Sequence, residues 1–225
     1  MYSVAGIQCF PFTSGRFHSP AVRHGITPYF FSRSEFSCWE DLLSRTTPAH
    51  IEISPWQELS FAQRLMEQKQ PEYILSATTR TLYQAPVSLA LARMLSSRFS
   101  LLPELEENIA TCLHETIQNA IVHGNLELDS DFDGEFGMSE YYDRISERVH
   151  EEQYGNRCIV ICASRNIDGL SISVTDRGAG FSLNHSQIRT SFSRPYGRGL
   201  DIVRSLCHHL HMPFGNTNTI VMDFI

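Results

Sequence analysis

Glu115 and Asn119 stand four residues apart in a stretch whose apolar members, Ile109, Leu113, Ile117, Ala120 and Ile121, recur at helical spacing. That spacing puts the carboxylate and the amide on one ridge of a helix, one turn apart. Asparagine is a poor helix former and prefers caps, so its place inside a strongly patterned helix suggests a side chain that is used. An amide oxygen can ligate a hard cation such as magnesium. A carboxylate one turn away can take a proton from a nucleophile or orient it. Two solvated polar residues on an amphipathic helix satisfy the same pattern, and this stretch alone leaves both readings open.

Two later stretches bear on the choice. Thr175, Asp176, Arg177, Gly178, Ala179 and Gly180 end an alternating strand with an acid and two spaced glycines. Such glycines let the backbone turn sharply and approach a ligand, although an aspartate at a strand end also suits a plain turn. Gly197, Arg198, Gly199 and Leu200 lie at the start of a helical pattern, where free N–H groups and the helix dipole favour phosphate.

In this order the three stretches resemble the N, G1 and G2 boxes of the gyrase–chaperone–histidine-kinase ATPase superfamily. Within it the chain is most similar to the anti-sigma-factor serine kinases of bacteria and their relatives. The likeness is carried by Asn119 and Ala120, by His123, Gly124, Asn125, Leu126, Glu127 and Leu128, and by Gly197, Arg198, Gly199 and Leu200. It covers roughly residues 80–225. It implies an α+β fold, a two-layer α/β sandwich (the Bergerat ATP-binding fold) with helices packed on one face of a mixed sheet.

The resemblance also implies a site for ATP and Mg2+. In it Asn119 ligates the metal, and Glu115 is the base toward a serine or threonine hydroxyl. His123, Asp176, Gly178, Gly180, Gly197, Arg198, Gly199, Leu200 and Thr219 hold the nucleotide. Asp176 sits where the family reads adenine: its carboxylate accepts from the exocyclic amine and rejects a purine with a carbonyl there. Thr219 matches a late threonine of the family, but Asn218 replaces the glycine that usually precedes it. Arg198 or Arg194 could stabilise charge on a γ-phosphate, and each could equally be a surface arginine.

The activity so implied is that of an ATP-dependent protein serine/threonine kinase of the anti-sigma type. Its protein substrate would resemble an anti-anti-sigma factor, a sigma factor would be a second partner, and the first helix of the family contributes to a homodimer. The rival readings are a non-catalytic ATP-binding switch and the catalytic half of a split histidine kinase. No dimerisation hairpin with a phospho-accepting histidine is evident for the latter.

One further pattern stands apart. Asp129, Asp131, Asp133, Gly134 and Glu140 fit the calcium-loop template D-x-D-x-D-G followed by Glu. Ca2+ binding there competes with an acidic loop that caps the next helix. Six scattered cysteines form no C-x-x-C pair and read as reduced, mostly core residues. Cys207 and His211 have a spacing that could serve zinc, but a structural zinc site needs four ligands.

The elements that must position these residues fall into two parts. Residues 1–78 suggest a small α/β interaction module, with strands near Tyr29, His50 and Tyr73 and helices after Ser34 and Ser54. Residues 79–225 form the ATPase-like part. There Arg80 to Gln84 suit an edge strand, a helix follows Pro86, and the organising helix spans residues 103–124. A charged helix around Tyr141, Ile145 and Val149 comes next, then strands at 157–163 and 170–175. Residues 182–194 suit a lid, residues 199–210 a helix, and a closing hairpin turns at Gly215 and Asn216.

A net charge of -7, with 42% hydrophobic and 19% charged residues, fits a soluble globular protein and argues against broad nucleic-acid or anionic-membrane binding. Neither a signal peptide nor a bilayer-length apolar run is evident, so the expected location is cytoplasmic.

Overall fold

The computed structural model describes residues 3–4, 7–8, 28–52, 71–128, 137–167, 169–180, 199–213 and 218–225. β1 (Ser3–Val4) and β2 (Ile7–Gln8) form a short antiparallel ladder of their own. β3 (Tyr29–Phe31), β4 (Ala49–Glu52), β5 (Tyr73–Thr78), β6 (Cys158–Arg165), β7 (Leu170–Thr175), β8 (His209–His211) and β9 (Thr219–Phe224) share a second sheet. It has seven strands in the order β3-β4-β5-β6-β7-β9-β8. The first three run parallel, and every pairing from β5 onward is antiparallel.

The centre of this sheet is buried on both faces, which is why its strands read as near-continuous apolar runs. In β6, Ile159, Ile161 and Ala163 enter the main core, while Val160 and Cys162 join Ala49, Ile51 and Ile74 in a smaller cluster on the opposite face. The helices are α1 (Trp39–Leu43), α2 (Thr79–Gln84), α3 (Ser88–Phe99), α4 (Pro103–Asn119), α5 (Gly137–His150), α6 (Glu152–Gly155) and α7 (Gly199–Leu206). Trp39, Leu82, Leu91, Leu113, Ile145 and Val203 bring six of them into the same core as Tyr73 and Leu75. The architecture is therefore mixed α/β, with a helical layer on one face of a mixed sheet. Each fully buried Leu or Ile in that layer stabilises it by about 1.5–3 kcal/mol.

α4 begins with Pro103 at its first turn and with acids Glu104 and Glu106 facing the positive end of its dipole. Its buried residues Ile109, Cys112, Leu113, Thr116 and Ile117 trace the apolar stripe seen in the sequence. The helix does not run on regularly to Gly124. Residues Ala120–Asn125 form a π-helical turn, and the Leu126 N–H donates to the Ile121 carbonyl, five residues back, at 2.8 Å. Such turns are rare and concentrate at functional sites.

Three other expectations need correction. Arg80 to Gln84 lie in α2 and not in an edge strand. Thr78 caps that helix by accepting from the Thr81 N–H at 3.3 Å. The buried Glu52 side chain accepts from the Thr78 N–H (2.7 Å) and from the Thr78 (3.3 Å) and Thr81 (2.7 Å) hydroxyls, which fixes the turn into a helix. Ser34 does not open a helix; Arg33–Glu35 is a 3-10 turn. α1 starts later, with the Cys38 sulfur accepting from the Asp41 N–H. The last helix stops at Leu206, because residues from His209 onward pair with β9 as β8. Cys207 and His211 therefore do not share a helix, and the spacing considered for zinc does not place them one turn apart.

The module boundary set at residue 78 coincides with the end of β5. That strand pairs with β6 along its whole length, so the described strands on either side of the boundary share one sheet. The helix expected after Ser54, the lid, the turn at Gly215 and Asn216, and the acidic loop through Asp129, Asp131 and Asp133 lie outside the described residues. Glu140 is described: it sits in the first turn of α5 and accepts from Arg144 at 2.7 Å. None of the described cysteines forms a disulfide; Cys112, Cys158, Cys162 and Cys207 are buried. Among the described residues no helix is long and apolar enough to cross a membrane.

Candidate functional site

The end of α4 and its π turn meet the turn after β7. A Cβ built on Gly124 would stand 2.5 Å from the Asp176 carboxylate carbon and 2.8 Å from each of its oxygens. A Cβ on Gly178 would collide with the Gly124 carbonyl. Two glycines are thus required for backbone and carboxylate to approach this closely, and the first two sequence stretches form one structure.

The third stretch arrives at the other end. A Cβ on Gly199, at the start of α7, would collide with the Glu115 carboxylate and lie 3.8 Å from the Asn119 side-chain nitrogen. α7 is held there by packing on α4, where the Cys112 thiol lies 3.9 Å from the Val203 carbonyl. Glu115 and Asn119 are both half-buried and share one side of α4 at its junction with the π turn. Leu200 packs against the main core. Gly197, Arg198 and Arg194 lie outside the described residues.

Asp176 is 5% exposed. Its Oδ1 accepts from the Gly178 N–H at 2.8 Å and from the Asn218 amide at 3.3 Å. Burial pushes its carboxyl above the ordinary aspartate value, against the lowering effect of those hydrogen bonds and of Arg157. Thr219 is fully buried, and its hydroxyl pairs with that of Thr175 at 2.9 Å. Gly180 has a φ of 81°, a left-handed conformation that glycine adopts without strain. His123 is exposed, with its Nδ1 2.7 Å from the Leu128 carbonyl oxygen.

Two residues matter more here than sequence reasoning suggested. Asn125, 0% exposed, donates to the Thr79 hydroxyl at 2.8 Å and accepts from the Arg177 N–H at 2.6 Å. It joins the start of α2 to the turn after Asp176. Asn218 donates to both Asp176 and the Gly178 carbonyl, the latter at 2.7 Å. Asn125 belongs to the motif that carries the resemblance but had no role assigned; its physical signal was a polar residue beside apolar helical positions. Asn218 was visible only as a departure from a family pattern.

The result is two close approaches along one stretch of chain: a buried carboxylate against the π turn, and a carboxylate–amide pair against the start of α7. The first can accept hydrogen bonds from a flat polar ligand; the second can bind a cation or a proton. Among the described residues no group of three or more His, Cys, Asp or Glu side chains could hold a metal ion. No protein-family model matches the chain, and no curated protein matches it.

Proposed function

We propose that this chain is an ATP-binding protein of the gyrase–chaperone–histidine-kinase superfamily, with a Bergerat-type fold, and that it acts as a protein serine/threonine kinase of the anti-sigma type. One observation carries the reading: three stretches far apart in sequence, recognised by their order, converge through the Gly124–Asp176–Gly178 and Gly199–Glu115–Asn119 approaches. The site residues fit ATP and Mg2+ in kind. Asp176 would bind the adenine amine, the Asn119 amide would supply an oxygen to magnesium, and the backbone at Gly199 would face phosphate. Glu115 would take the proton of a substrate hydroxyl. The expected protein partner is an anti-anti-sigma-like substrate, with a sigma factor as a second.

A non-catalytic ATP-binding switch is the second reading. It is favoured by the Glu115 carboxylate itself, one oxygen of which lies against the backbone of Gly199.

Titration calorimetry with ATP and GTP in magnesium tests the nucleotide assignment. ATP should bind and GTP should bind far more weakly; equal affinities would overturn the role given to Asp176. Asn119→Ala should weaken binding in magnesium and much less in chelator. Glu115→Gln separates kinase from switch. It should keep ATP binding and lose about a hundred- to ten-thousand-fold in phosphate transfer to a candidate partner. Transfer by Glu115→Gln at the unmodified rate would remove Glu115 as the base. A wild-type chain that binds ATP and partner but never labels the partner would leave the switch.

A further inference from the structure

Away from these residues, the segment after α1 and the outer side of α3 enclose a half-open cavity of about 410 Å³. Its volume is that of a small-molecule site, which is typically about 300–1,000 Å³, mostly apolar, with a few convergent polar groups. Leu43, Ala90 and Met94 give it an apolar wall. Arg45, Arg93 and Arg98 line it against a single acid, Glu40. In a chain of net charge -7, three guanidiniums around one concavity reverse the local sign of the surface.

Each guanidinium is held in place by contacts that leave it other donors. Arg98 donates to the carbonyls of Thr47 (3.3 Å) and Glu72 (3.0 Å), two bonds for a group with five N–H donors. Arg45 lies over the Tyr29 ring, 4.6 Å from its centroid, a contact that uses the face of the guanidinium and leaves its edge. Arg93 reaches Glu106 only at 3.9 Å, with 59% of its side chain exposed. Planar guanidiniums so placed match the paired oxygens of carboxylates and phosphates.

We propose that this cavity binds a small organic anion, a carboxylate or phosphate ester with an apolar body. The anionic oxygens would meet Arg93 and its neighbours, and the apolar part would lie on Leu43 and Met94. The site draws on residues from both sides of the boundary at residue 78, so its ligand would bear on how α1 and α3 pack. It is independent of the nucleotide reading.

The test uses the full chain with phthalate and phenyl phosphate as probes and benzamidine as a cationic control, followed by calorimetry and ligand-observed NMR. Both anions should bind saturably at submillimolar to millimolar concentration, and benzamidine should not. Arg93→Glu should weaken them at least about tenfold, the loss of one charge-assisted contact. Arg93 is exposed and weakly paired, so its melting temperature should not move. Ser97→Glu, which adds a charge on the exposed lining of α3, should do the same. Asp176→Asn should leave the affinity unchanged. The proposal fails if neither anion saturates, if Arg93→Glu and Ser97→Glu bind as the unmodified chain does, or if Asp176→Asn abolishes binding. Binding of a glutamate-rich peptide with no binding of either small anion would also overturn it, in favour of a protein-docking groove.

Discussion

Gly124 and Asp176 touch so closely that no side chain fits between them: a Cβ on the glycine would stand 2.8 Å from both carboxylate oxygens. The neighbour is a buried, hydrogen-bonded carboxylate with little freedom to withdraw. Gly124→Ala should therefore force apart the π turn and the β7 turn. Overpacking of this kind costs about 1–3 kcal/mol, or about 2–4 °C of melting temperature per kcal/mol in a chain of this size. Differential scanning calorimetry reads it. A Gly124→Ala protein with unchanged melting temperature would show that the two turns are not held together as described.

Asn218→Gly tests what the Asn218 amide does. The change removes the donors to the Asp176 Oδ1 and the Gly178 carbonyl. Two hydrogen bonds of ordinary strength are worth about 1–3 kcal/mol together. Since the amide also holds the Asp176 carboxyl down, its loss should raise that carboxyl further. Chemical denaturation of Asn218→Gly gives the stability change, and NMR titration of the Asp176 carboxyl gives the direction. An Asp176 that titrates lower in the variant would contradict this account.

The Asp176 carboxyl titrates above the ordinary value of 3.8 chiefly because it is buried. With the folded value raised, the native state binds more protons than the unfolded chain in the window above 3.8. Stability therefore falls as pH rises through that window and stays lowered above it. Glu52 is shifted in the same direction, again mainly by burial. Asp176→Asn removes one of these charges and can still accept through its amide oxygen. It should melt higher than the unmodified chain at pH 7 without nucleotide, and the difference should vanish at acid pH. At the same time it should weaken the adenine recognition proposed above. A variant less stable at neutral pH would mean that the ionised carboxylate is needed for folding.

Much of this fold was legible because its signals are local. The stripe from Ile109 to Ile117 and the apolar run at Ile159 to Ile161 each announce their element directly. The approach of Gly124, Asp176 and Gly178 was not legible locally, since no spacing rule links residues about fifty apart. Where reading failed, tertiary context decided. Arg80 to Gln84 carry strand-compatible Thr, Leu and Tyr, yet the Thr78 cap and the buried Glu52 carboxyl, both set by the β4–β5 pairing, turn them into α2. The π turn was hidden as well, because one extra residue in a turn leaves the apolar period almost unchanged. Asn125 could not be told from a solvated polar residue, since its partners Thr79 and Arg177 come from other elements.

His50 offers a test of the packing between the first strands and α1. It is fully buried on β4, with its Nδ1 3.0 Å from the Tyr73 hydroxyl and its Nε2 3.0 Å from the Leu42 carbonyl oxygen. Burial lowers its pKa to about 4, assisted by Arg45 and Arg98 and opposed by the bond to Leu42. The folded value thus lies below the unfolded 6.5. Between the two the unfolded chain holds a proton that the native state lacks. The stability that His50 contributes is present above pH 6.5 and is lost as pH falls toward 4. That shift corresponds to a loss of about 2 kcal/mol between pH 7 and pH 5. The carboxyls of Asp176 and Glu52 titrate in the opposite sense, so the whole-chain profile is a sum. The difference between His50→Gln and the unmodified chain isolates the histidine. Urea denaturation at pH 7 and pH 5 should show the variant less stable at pH 7, since it loses a buried bridge, and closer to the unmodified chain at pH 5. A gap between the two proteins that stays constant across that range would mean that His50 is already protonated in the fold, or open to water.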